Sequence, residues 1–111
     1  MDRSSLTELA GKHLDVARQA SSGRSAHTVH GGHASTLRQT VIALTGGQQL
    51  DEHENPGEAT LLVWHGRVRV TAADGDTGEA TAGEILTIPD SRHMLEALED
   101  SVLLLTVAKL P

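Results

Sequence analysis

The sequence predicts an all-β barrel carrying one N-terminal helix, and two observations lead there. From residue 24 onward, short apolar-rich runs recur at close spacing with Gly, Pro, Asn, Asp and Ser between them. That is the pattern of strands and turns in a sandwich or closed barrel. Ahead of them, the apolar residues recur at helical rather than alternating spacing. The 111 residues amount to one domain at most, divided here into a helix (1–23) and a barrel (24–111).

The helix opens on Ser5 with Glu8 three residues on, a capping box. Leu6, Leu9, Ala10, His13, Ala17 and Ala20 fall on one face, with Val16 beside it. The stripe is narrow and rich in Ala, so the helix needs a larger surface to dock on. "SSG" supplies the stop, with Gly23 as a left-handed cap.

The strands follow in order. "SAHTVH" is the first, broken by "GGHAS". "TLRQTVIAL" alternates, with Leu37, Gln39, Val41 and Ala43 on one side and Arg38, Thr40, Ile42 and Leu44 on the other. "QQLDEH" leads into the Pro56-Gly57 bend and then "ATLLVWH", where Leu62 and Trp64 lie opposite Ala59, Leu61 and Val63. "GRVRVTAADGDTGEAT" reads as a hairpin turning at Asp74-Gly75, with Val68 and Val70 facing in. "EILTIP", "HMLEAL" and "SVLLLTVAKL" complete the set.

Composition excludes several function classes. A net charge of −6 with no basic run argues against nucleic acid, whose binding rests on Lys and Arg meeting phosphates. No cysteine is present, so disulfides and thiolate metal sites are excluded. No stretch approaches a membrane span, and the N-terminus lacks a secretory pattern. The expectation is a cytoplasmic protein without membrane association. Phe and Tyr are absent and Trp64 is the single aromatic residue, so the core is built from Leu, Val, Ile and Ala. No nucleophile elbow, phosphate loop or HExxH motif appears.

Two glycine-led motifs flank the hairpin. Gly47, five residues and His53 open the first, and Gly66 closes it. Gly83, five residues and Pro89 open the second, with His93 in its histidine region. On these residues the stretch from Leu37 to Lys109 resembles the small single-domain cupins. The resemblance implies a jelly-roll barrel whose two motifs fold together, and His53 and His93 meeting in one barrel mouth. It also marks departures. Asn55 holds the second histidine position of the first motif, and Ala59 its glutamate position, with Glu58 one residue off. The second motif reads "PDSRH", without its glycine, and Ala97 holds its asparagine position.

Cupin metal sites use three imidazoles and a carboxylate, a set suited to Fe, Mn, Ni, Cu or Zn. The resemblance therefore implies a degenerate site here, with no cofactor or one weakly held divalent transition metal. Three functions follow as expectations. The first is a small-molecule-binding barrel with His53, Asn55 and His93 lining the polar part of its pocket. The second is a metal-dependent enzyme, of dioxygenase or isomerase type, using His53, His93 and Glu58; it requires a register shift at the Pro56-Gly57 bend to turn Glu58 inward. The third is the ligand-sensing partner of a regulatory protein. His65 reads as a strand-end residue. His27, His30 and His33 form a polar tract whose spacing scatters the rings over both faces of a strand. The apolar face of Leu62 and Trp64 needs cover, from the helix or from a second copy in a homodimer.

Overall fold

The computed structural model describes residues 1–53, 57–89 and 91–109, positions 51–53 by their backbone alone. One helix, α1 (Leu6–Gln19), precedes nine strands: β1 (Arg24–His30), β2 (Leu37–Leu44), β3 (Gln49–His53), β4 (Gly57–His65), β5 (Arg67–Ala72), β6 (Thr77–Thr81), β7 (Ile85–Thr87), β8 (His93–Ala97) and β9 (Ser101–Lys109). They form two antiparallel sheets, ordered β1-β2-β9-β4-β7 and β3-β8-β5-β6. The expected jelly-roll barrel is the fold observed.

The alternation in the sequence sets the inner face. Ile42 and Leu44 of β2, Ala59, Leu61 and Val63 of β4, Leu103 and Leu105 of β9, Val68 and Val70 of β5, and Leu95 and Ala97 of β8 enclose one aliphatic core. Burying such side chains contributes about 1.5–3 kcal/mol each. Branched aliphatics take the place of the missing Phe and Tyr. Asp74-Gly75 turns the β5–β6 hairpin as expected: Gly75 adopts φ +91°, and the Ala72 amide donates to the Asp76 carbonyl at 2.8 Å.

A second, outer core lies under the helix. Ala10, Leu14 and Ala17 pack on Val41, Ala43 and Val102, with Leu6, Leu9, Val29 and Leu104 at the margin. The buried stripe differs from expectation in two residues. Leu14 is buried and Val16 is exposed; Leu14 lies on the face of Ala10 and Ala17, four residues after the one and three before the other. Ser5 caps the N-terminus, its Oγ accepting from the Glu8 amide at 3.2 Å. The C-cap is Ala20 rather than Gly23. Gly23 adopts a left-handed φ of +67° beyond the cap, where a Cβ would also stand within 2.8 Å of Thr45 Oγ1 and the Gln48 amide. Beyond the helix end, Asp100 accepts from the Arg18 guanidinium at 3.0 Å and from the Gly46 amide at 2.8 Å. These contacts hold the Asp100 carboxyl below its ordinary pKa, the backbone hydrogen bond from Gly46 contributing most.

Candidate functional site at the barrel mouth

The strand register brings the two motif histidines together. β3 and β8 pair antiparallel with His53 opposite His93, and β5 continues the row with Ala72 opposite His93. β8 alternates His93, Leu95 and Ala97 inward, so His93 shares a face with core residues and is only 5% exposed. Its Nδ1 lies 3.0 Å from the Ser91 carbonyl. A carbonyl only accepts, so Nδ1 carries the proton in the neutral ring and Nε2 is the acceptor nitrogen.

Across the barrel, the other sheet has its own row at the same end. Arg38 pairs with Val107, and Val107 with Ala59. Val107 and Ala59 belong to the inner core, and directly opposed residues share a face. The Arg38 position therefore faces the barrel, and so does Thr40, opposite Leu105. A permanent cation stands in the row that also holds Ala59, the motif's carboxylate position.

The alternation of β4 places two positions of the expected set. Ala59 faces inward at 7% exposure, while Glu58 is exposed on the outer side of β4. The strand keeps its alternation from Gly57 to Val63, so no register shift turns the carboxylate in. Ala97 is buried at the far end of β8, where its carbonyl accepts from the Gly47 amide at 2.8 Å. Asn55 and the side chain of His53 lie outside the described residues. Among the described residues, no three His, Asp or Glu side chains gather as a metal site. Of the expected carboxylate and imidazole donors, the described residues place His93 inward and Glu58 outward.

The remaining histidines separate. His27 stacks on His13 of α1, ring centroids 5.2 Å apart. His33 lines a groove beside Arg38, and His65 is exposed at the end of β4. His13 lies on the buried stripe of α1. It is 8% exposed, its Nδ1 lies 2.7 Å from Ser25 Oγ, and its Nε2 is buried without a partner. Its pKa is lowered from the ordinary value, first by burial and then by His27 and Lys12. Sequence reasoning missed Arg38 as a site residue. The signal was its phase, since it alternates with Ile42 and Leu44, which are core positions.

Comparison with known proteins agrees with this architecture. No family model and no curated protein matches the chain. Among solved structures, a conserved protein of unknown function from Streptococcus pyogenes superposes with a TM-score of 0.75 at 23% identity, over 100% of this chain and 92% of that one. A cupin superfamily protein from Desulfitobacterium hafniense gives a TM-score of 0.70 at 14% identity, covering 78% of each chain. An HTH_3 family transcriptional regulator from Vibrio cholerae gives 0.66 at 22% identity, over 79% of this chain and 52% of that one. The chain thus has the cupin fold. At these identities the likeness establishes the fold alone, since one fold hosts many functions.

Proposed function

We propose that this protein is a cytoplasmic, small-molecule-binding barrel whose ligand enters the mouth at the His53–His93 end, without a tightly held transition metal. The observation that carries the reading is the mouth itself. A buried imidazole of set tautomer stands in register with a second histidine position, while the family's carboxylate position is an inward Ala59 and Glu58 faces out. A few polar groups at the rim of an aliphatic core suit orientation of a small organic molecule. With Ala59 at the carboxylate position and Glu58 facing out, the metal-dependent enzyme reading lacks support from the described donors. A role as the ligand-sensing partner of a regulator draws support only from the fold shared with the Vibrio regulator.

We further propose that the protein is a homodimer. Leu62 pairs with Ile85 and Leu104 on the outer face. Trp64 is 42% and Ile85 65% exposed, and α1 lies over β1, β2 and β9 instead. A second copy would cover this strip.

The functional reading is tested by thermal shift across a library of small metabolites. A ligand at about ten times its Kd stabilises by about 1.4 kcal/mol, which raises Tm by roughly 6 °C or more in a domain of this size. A hit whose shift disappears in His93→Ala supports the mouth. Hits indifferent to that change, or none across the library, contradict it.

A further inference from the structure

A second feature lies at the β1–β2 edge of the larger sheet. Where β1 ends and β2 begins, Thr28, Gly31, Gly32, His33, Arg38 and Thr40 line an open groove of about 230 Å³. Thr28 and Thr40 are directly opposed in the β1–β2 ladder, which puts their hydroxyls on one face. None of the six lining residues is acidic.

Arg38 is the chemical centre of this groove. Arg18 and Arg69 both meet carboxylates, whereas among the described residues Arg38 makes no ion pair. One Nη donates to the Gly32 carbonyl at 3.3 Å, and Nε is buried with no hydrogen-bond partner. A guanidinium N–H removed from water without an acceptor is costly. The stem is held from behind by Gly31. That residue adopts φ +107°, and a Cβ there would stand within 3.0 Å of the Leu37 carbonyl oxygen and the Arg38 Cα. At Gly32 a Cβ would meet nothing within 4 Å, so the other wall is open.

We propose that this groove binds a small oxyanion, the carboxylate or phosphate group of a metabolite, with Arg38 as its main ligand and Thr28 and Thr40 as hydroxyl donors. An oxyanion at the Nε edge supplies the missing acceptor and forms the charge-assisted hydrogen bonds for which a guanidinium is shaped. The volume suits a small anion rather than a drug-sized molecule. The net charge of −6 repels anions at long range, so binding is local and weakened by salt. The proposal does not rest on the mouth reading, because His93 does not line this groove.

The test is NMR of the full chain titrated with sodium succinate and, separately, sodium phosphate, against sodium chloride at matched ionic strength. The expected result is a saturable shift at the Arg38 Nε–H and at the amides of Gly31, Gly32 and Thr40, with an apparent Kd of about 1 mM. Saturation by succinate alone assigns a carboxylate, and by phosphate alone a phosphoryl group. Arg38→Gln should weaken binding about tenfold or more, and Thr40→Val should weaken it while leaving the guanidinium in place. Shifts reproduced by chloride, shifts centred on His93 instead of Arg38, or undiminished binding in a folded Arg38→Gln would overturn the proposal.

Discussion

Replacing His13 with Leu should stabilise the protein at neutral pH and remove part of its sensitivity to acid. The imidazole is buried between α1 and β1, with Nε2 unpartnered and Nδ1 bonded to Ser25. Removing the unpartnered nitrogen relieves about 1–3 kcal/mol, and losing the Ser25 hydrogen bond costs about 0.5–1.5 kcal/mol. A net gain of about 1 kcal/mol follows, since Leu fits an outer core already made of Ala10, Leu14, Ala17 and Val41. The acid limb has a definite sign. The folded-state pKa of His13 lies below the ordinary value of 6.5, so below that value the unfolded chain takes up a proton the folded chain resists. Stability is complete above the unfolded pKa and falls as pH drops, with a slope of at most about 1.4 kcal/mol per pH unit for one proton. His27 and Lys12 oppose the charge from β1 and α1, while Val41, Ala43 and Val102 on the sheet beneath carry none. Urea unfolding at about pH 8 and about pH 5.5, with wild type compared against His13→Leu, reads out this residue together with its coupling to the stacked His27. An equal loss of stability on acidification in both proteins would refute the reasoning.

Other perturbations have equally specific outcomes. Leu103→Ala, at a fully buried inner position, should cost about 2–5 kcal/mol in denaturant unfolding. Gly66→Ala should cost about 1 kcal/mol or more, since Gly66 sits at φ +90° and a Cβ there would collide with the Asp100 carbonyl oxygen and Ser101 Oγ. Glu58→Ala should change stability by less than about 0.5 kcal/mol, as expected of an exposed outer residue. Trp64→Glu should convert the proposed dimer to monomer in sedimentation velocity; wild type that sediments as a monomer at every concentration would refute that interface.

Much of the fold was legible because burial alternates in β4 and β5, and one buried face per strand fixes the register. The Asp74-Gly75 turn and the placement of Leu62 and Trp64 on the outer face followed from the same rule. The helix boundary was less legible. The helix ends at Ala20, and what bars a side chain at Gly23 is the close approach of Thr45 and Gln48, residues distant in sequence. Leu14 stands four residues after Ala10 and three before Ala17, and docking on Val41 and Val102 buries all three. For the site, the pairing of the His53 and His93 positions was readable from the two glycine-led motifs. The part played by Arg38 was hidden, although its phase with Ile42 and Leu44 was visible. A charged residue in a core phase reads as a strand-end irregularity until the groove beside it is seen.

The central claim, a ligand-binding mouth without a tightly held metal, is tested most directly by elemental analysis. The protein would be grown with Fe, Mn, Ni, Cu and Zn available and purified without a histidine tag. The donors around His93 predict far less than one metal per chain, unchanged in Glu58→Ala. A near-stoichiometric metal in the wild type, lost in both His53→Ala and His93→Ala, would contradict the account and favour the metal-dependent enzyme.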